Sequence, residues 1–210
     1  SSNESLRKMA LDTIENDIEF FPSWGKNRLS GMLEARPDWC ISRQRSWGLP
    51  IPSFTDGTTT LMTAESIRCV ADIIAQEGSD AWFKRSASEL LSNYDARKDP
   101  DFPSKFNLNN AQKMYDIFDV WFESGSSWNA VLKQRQQHFP ADLYLEGSDQ
   151  HRGWFHLSLL PSLAVEKRPP FKRLLTHGFI VDKHGKKMSK SVGNTLNVQD
   201  ILAKYGAEIT

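Results

Sequence analysis

Ala141-Asp142-Leu143-Tyr144-Leu145-Glu146-Gly147-Ser148-Asp149-Gln150 begins as a short apolar run and breaks at an acidic, glycine-containing turn. The spacing predicts a strand over 141–145 and a helix over 149–165, bent at Pro161, where a ring without an N–H interrupts the helical ladder. A second strand is expected over 173–176, with 179–181 continuing it. A helix over 198–205 is capped by Asn197 and stopped by Gly206. Strands alternating with helices argue for an α/β fold with a parallel sheet. In such sheets ligands collect at the carboxyl ends of the strands, which is where Glu146, Gly147, Asp149 and Gln150 fall.

Upstream, apolar spacing at Leu6, Met9, Ala10, Ile14 and Ile18 predicts a helix over 5–20, and a second is expected over 24–35. Residues 39–51 read as a strand ending in a turn at Gly48 and Pro50, with Arg43 and Arg45 on one face. Residues 55–110 differ in character: an Asp56-Gly57 turn, an amphipathic helix over 64–77, another over 80–91, then a polar stretch over 93–110. This predicts an inserted segment with a mobile loop. A strand over 117–122, containing Trp121, and a helix over 126–137 return the chain to the main pattern. Three parts are therefore expected: 1–54, 55–115 and 116–210.

The chain has 26 basic and 26 acidic residues, so it is no polycation. Residues 165–190 nevertheless hold eight Lys or Arg against Glu166 and Asp182, an excess that suits a nucleotide or RNA and equally describes a solvated basic face. Cys40 and Cys69 stand 29 positions apart, which gives neither a zinc pair nor a disulfide framework. No apolar run approaches the roughly 20 residues of a membrane span. The start at Ser1-Ser2-Asn3 without Met, and the end at Ile209-Thr210, are read as those of a piece of a longer protein.

Chemistry concentrates in two places. Lys187-Met188-Ser189-Lys190-Ser191 packs two ammonium groups and two hydroxyls into five positions, a set able to hold the oxygens of a polyphosphate as a leaving group departs. His177-Gly178 precedes it at a strand end. In the acidic turn, Gly147 allows close backbone approach, Glu146 offers an anion to an ammonium group, and Asp149 and Gln150 offer partners to sugar or amide groups. The same turn also reads as an ordinary helix N-cap through Ser148 or Asp149. Trp121 and Trp154 suit either a pocket wall or core packing.

Taken in order, segments 39–48, 119–125, 142–155 and 175–194 resemble the class I aminoacyl-tRNA synthetases, and within them the isoleucyl family. They cover about a quarter of the chain. The resemblance implies the C-terminal half of a Rossmann-like nucleotide-binding sheet carrying a small α-rich insertion. It implies ATP-dependent activation of isoleucine and transfer to tRNA(Ile) by a longer cytoplasmic enzyme. Glu146 would bind the α-amino group, Trp121 and Trp154 would wall the side-chain pocket, and Gly147, Asp149 and Gln150 would hold the adenylate. His177 and Gly178 would line the ATP site with Met188, Ser189 and Ser191, while Lys187 and Lys190 act on the phosphates. ATP would arrive with Mg²⁺, without dedicated protein ligands; no zinc, membrane or oligomer is implied. A valyl-type relative and a non-catalytic RNA-binding module are the competing readings. Two departures stand out: none of the five histidines lies in the family's His-x-Gly-His motif, and Glu123 replaces an expected Asp. The family's editing insertion and anticodon-binding region are not among these residues, so the isolated piece is expected to activate isoleucine poorly.

Overall fold

A computed structural model describes residues 5–208, and the expectations attached to the first three and last two residues lie outside them. The described chain divides into two compact units, one built from residues up to Arg36 and from Ser127 onward, the other Pro37–Ser126. The second unit is wider at both ends than the 55–115 insertion expected from composition.

The first unit opens with helix α1, Leu6–Asn16. Ser5 starts it by accepting a hydrogen bond from the Lys8 N–H (3.2 Å), and the repeat of apolar positions buries Ala10 and Ile14 completely. Strand β1, Glu19–Phe21, and helix α2, Trp24–Glu34, follow.

The second unit is assembled from short pieces. Strand β2 is only Ser42–Arg43, so the long strand expected over 39–51 is not formed and Arg43 and Arg45 share no strand face. Strands β3 (Phe54–Thr55) and β4 (Thr60–Leu61) make a hairpin across the Asp56-Gly57 turn. Helix α3, Ala64–Glu77, is fixed at its start by a reciprocal capping box between Thr63 and Ser66. The helix expected over 80–91 is two single turns, α4 (Ala81–Lys84) and α5 (Ala87–Leu90), because Ser86 caps a new start within it. Strands β5 (Gln112–Lys113) and β6 (Ile117–Phe118) precede helix α6, Val120–Gly125. Trp121 therefore sits on a helix, not in the predicted strand. The cause is Asp119, whose carboxylate accepts from the Trp121 N–H (2.8 Å) and turns the backbone into a helix.

Residues 93–110 have a hydrogen-bonded, packed structure. Buried Asp99 accepts from the hydroxyls of Thr63 and Tyr94 and from the Asp101 N–H. Phe106 is buried in the cluster around Phe54, Val70 and Trp82, with Tyr94 and Phe102 packed against it. A stretch whose composition looks like loop thus contributes core.

Back in the first unit, residues 128–133 form a π-helical turn rather than the α-helix expected over 126–137. Strand β7 (Tyr144–Gly147), helix α7 (Trp154–Glu166), strand β8 (Arg173–His177) and helix α8 (Val198–Tyr205) complete the fold. The sheet order is β1-β8-β7, and both pairings are parallel, as the alternation of elements predicts. Burial alternates along the strands: Phe20, Leu174 and Tyr144 are buried, whereas Phe21 and Leu145 remain exposed. The covered face rests on α2 and α7, where Tyr144 stacks on Trp154 with ring centroids 4.0 Å apart. Pro161 lies inside α7. Among the described residues no helix is long and apolar enough to cross a membrane.

Candidate functional site

The register of β7 on β8 determines what meets at the sheet's end. Glu146 stands opposite Thr176, and Gly147 opposite His177. Two segments 30 positions apart are thereby brought together at the carboxyl ends of neighbouring parallel strands. A side chain at Gly147 would have its Cβ 2.8 Å from Asp149 Oδ1, 3.7 Å from His177 Cε1 and 3.8 Å from Phe179 Cε1. The absence of a Cβ at Gly147 is what allows this close approach.

The turn after β7 is a short 3₁₀ segment, Ser148–His151, and α7 starts only at Trp154. Neither Ser148 nor Asp149 caps that helix; Gln150 Oε1 accepts from the Trp154 N–H (2.9 Å), and Gln150 Nε2 donates to Asp149 Oδ2 (3.3 Å). Below the turn, buried His151 holds it through a 2.9 Å contact of Nδ1 with the Ser148 carbonyl. Burial pushes the His151 pKa down, against the opposing effect of that carbonyl. Glu146 and Asp149 point to exposed surface at the sheet edge. Trp154 is half-buried on Tyr144, and its indole Nε1–H donates to Ser127 Oγ (3.1 Å).

The lysine segment begins close by. An isolated antiparallel bridge joins Val181 to Lys187, and the Lys187 ammonium lies 3.8 Å from the centre of the Phe179 ring, a cation–π contact. His177, Gly178, Phe179, Lys187 and Met188 line one side of a cavity of about 900 Å³, and Tyr205 of α8 lines the other. Lys190 and Ser191 are exposed, and Ser191 Oγ lies 3.2 Å from Ser189 Oγ. His177 Nδ1 contacts the Gly178 carbonyl at 2.7 Å.

Two residues of this region carry structure that the sequence reading did not single out. Asp182 Oδ1 accepts from the N–H groups of His184 (2.9 Å) and Lys186 (3.0 Å). Its Oδ2 accepts from Asn194 Nδ2 (2.8 Å), and Asn194 Oδ1 accepts from the Ser189 N–H (3.0 Å). An acidic residue three positions before a turn glycine was the available signal for the first; nothing local marks Asn194.

Trp121 belongs to the second unit, where it is exposed on α6. Beside it, Asp119 accepts from Trp39 Nε1 (3.1 Å) and pairs with the Arg43 guanidinium, which also donates to the carbonyls of Cys40 and Ser42. Arg43 is thus committed to internal partners rather than to a phosphate. Arg45 lines a shallow depression with Gln44, Met114 and Tyr115.

A parallel sheet thus presents an acidic turn and a His-Gly pair at the carboxyl ends of neighbouring strands, with a lysine-serine loop following, an α/β arrangement. The chain belongs to the family described as tRNA synthetases class I (I, L, M and V), which matches residues 1–210. Among its relatives are isoleucine–tRNA ligases. That of Acinetobacter baylyi is 51% identical over 209 residues, covering 98% of this chain and 21% of the relative. That of Nitratiruptor sp. is 50% identical over 212 residues, covering 98% and 22%, and that of Kosmotoga olearia 51% over 207, covering 97% and 22%. The chain spans about a fifth of the length of these curated relatives. Among solved structures, the ternary complex of an Agrobacterium radiobacter LeuRS with tRNA and LeuAMS aligns at TM-score 0.54 and 23% identity, over 82% of this chain and 23% of that one. Mycobacterium tuberculosis methionyl-tRNA synthetase bound by methionyl-adenylate aligns at TM-score 0.53 and 17% identity, over 96% and 29%. At such identities these two bear on the fold alone.

Proposed function

We propose that this chain forms part of the activation site of a longer isoleucine–tRNA ligase acting in the cytoplasm. In the first step a carboxylate oxygen of isoleucine attacks the α-phosphorus of ATP, the bond to the bridging oxygen breaks, and pyrophosphate leaves. In the second, a hydroxyl of the terminal ribose of tRNA(Ile) attacks the acyl carbon and AMP departs. The observation that carries this reading is the pairing of Gly147 with His177 beside the loop holding Lys187, in a chain half identical to isoleucine–tRNA ligases.

Each residue has a role that its chemistry suits. Glu146, exposed at the strand end, binds the α-ammonium of isoleucine. Gly147 lets the adenylate backbone approach, with Asp149 and Gln150 at the ribose and carbonyl. Trp154 provides an apolar wall. His177 and Gly178 line the nucleotide site with Met188, Ser189 and Ser191. Lys187 and Lys190 stabilise charge that builds on the β- and γ-phosphates as pyrophosphate leaves. ATP is taken as its Mg²⁺ complex. Residues 55–115 act as an inserted connective subdomain.

Isoleucine-dependent exchange of pyrophosphate into ATP by the full-length protein tests the proposal. Exchange with isoleucine well above that with valine is expected. Exchange driven better by valine, or salt-sensitive RNA binding without any exchange, would overturn it.

A further inference from the structure

Two side chains outside the roles just assigned control the path of the lysine loop. The loop has little sheet support: one isolated bridge, Val181 to Lys187, joins it to the preceding segment. Backbone turns such as Gly185 N–H to the Asp182 carbonyl (2.9 Å) and Gly193 N–H to the Ser189 carbonyl (3.1 Å) add to it, and two side chains tie the outgoing and returning segments together. Asp182 Oδ1 takes the N–H groups of His184 and Lys186, while the Asp182 N–H donates to the Lys186 carbonyl at 2.8 Å. That closes the outgoing turn. The other oxygen, Oδ2, takes Asn194 Nδ2 from the returning segment. Asn194 in turn grips the backbone on both sides of Met188, accepting from the Ser189 N–H (3.0 Å) and donating to the Lys187 carbonyl (3.3 Å).

We propose that Asp182 and Asn194 form a positioning clamp that sets the backbone of 187–190, so that Lys187 and Lys190 meet the polyphosphate in one geometry. The inference rests on the activity proposed above and extends it to residues that touch no substrate. A flexible loop carrying two lysines would attract phosphate as well, but charge stabilisation in the transition state depends on donors fixed in advance. The Asn194 amide, with the Lys186 and His184 N–H groups, holds the Asp182 carboxyl below the usual carboxylate range, so it remains an acceptor near neutral pH.

The polarity of the clamp provides a test that simple loss of structure does not imitate. Asn194→Asp sets two carboxylates against each other, and Asp182→Asn sets two NH₂ groups against each other. The double substitution D182N/N194D restores the match. Oδ1 of residue 182 keeps both backbone donors, its new NH₂ donates to residue 194, and residue 194 still accepts from Ser189; the bond to the Lys187 carbonyl is replaced by two oxygens facing each other, which the swap does not repair.

In the full-length synthetase each single variant should lower pyrophosphate exchange about 10-fold or more, a loss in the range of one or two hydrogen bonds to a charged group. The loss should fall on kcat and the ATP KM and leave the isoleucine KM within about 2-fold. The swap should recover most of it. Hydrogen exchange should report faster amides at Lys186 and Ser189 in the singles and restored protection in the swap. Exchange rates near wild type in the singles, equal losses in the isoleucine KM, or a swap no better than its parents would overturn the clamp. If the wild-type protein shows no isoleucine-dependent exchange, the activity reading fails. The clamp is then decided by calorimetric binding of inorganic tripolyphosphate: weakened in the singles and restored in the swap, or unchanged and refuted.

Discussion

Gly147 and His177 face each other at the carboxyl ends of two adjacent parallel strands, with the side chains of Asp149 and Phe179 close around Gly147. A methyl group at Gly147 would lie 2.8 Å from Asp149 Oδ1. That oxygen ends a flexible, exposed side chain, so the fold can accommodate the clash by turning the carboxylate away. Gly147→Ala is therefore expected to cost stability no more than about 1 kcal/mol while displacing Asp149 from the place a ribose would need. Thermal unfolding of the full-length protein should be nearly unchanged, and binding of a non-hydrolysable isoleucyl-adenylate analogue should weaken by roughly 10-fold or more. Full retention of analogue binding would remove Asp149 from the adenylate site.

Lys187 and Lys190 differ in surroundings although they share a motif. Both are exposed, and the Lys187 ammonium rests over Phe179. Lys190 is taken as the stronger candidate for transition-state stabilisation. Lys190→Ala should lower the rate of adenylate formation by roughly 10²-fold with isoleucine affinity almost unaffected. Pre-steady-state measurement of adenylate formation, with isoleucine binding measured separately, checks this. Equal losses in rate and affinity would assign Lys190 to ground-state binding instead.

Strands β7 and β8 were legible because strands and helices differ in period, and because β7 and α7 flank a glycine turn at a strand end; strand β1 was not, since Glu19 and Phe20 fall in the helix expected over 5–20. Helices α1, α2, α3 and α8 were legible for the same reason, with Asn197 and Gly206 marking both ends of the last. Much of the second unit was not. Strand β2 is set by pairing with Ile117 and Phe118, a partner more than 70 positions distant that no local pattern reveals. Trp121 looks like a strand residue by its apolar neighbours, yet one carboxylate, Asp119, converts the segment to helix. At the site, charge and glycine placement indicated Glu146, His177 and Lys187. The clamp partner Asn194 was invisible because its partners are backbone groups of a loop whose path is known only once folded.

The segment 93–110 was expected to be a mobile loop, and Asp99 is the reason the structure gives it order. Its carboxylate satisfies the hydroxyls of Thr63 and Tyr94 in the interior of the second unit. The Tyr94 hydroxyl is pushed well above its ordinary pKa, by burial first and then by Asp99. Asp99→Ala would take the acceptor from the part-buried Tyr94 hydroxyl and leave the Thr63 hydroxyl with Ser66 Oγ (3.2 Å), at a cost of about 1–2 kcal/mol. The urea midpoint for this unit should fall, and limited proteolysis should find new sites within 93–110. Unchanged cleavage would show that Phe102 and Phe106 alone hold the segment.

His156 supplies the pH dependence. It sits inside α7 with 1% of its surface exposed, and burial, aided by the Arg36 charge, lowers its pKa from 6.5 to about 4. The folded chain therefore keeps His156 neutral over a range in which the unfolded chain protonates it. With more protons bound in the unfolded state, stability must fall as pH is lowered. The loss begins near the unfolded value of about 6.5 and is complete below about 4, reaching on the order of 3 kcal/mol. His151, lowered in the same direction by burial, adds to the slope. Urea unfolding of the chain at a series of pH values from 7.5 downward should show this decline, and His156→Leu should flatten most of it while leaving the portion due to His151. A His156→Leu variant with the parent's slope would place the sensitivity on other groups and make the buried imidazole a neutral spectator.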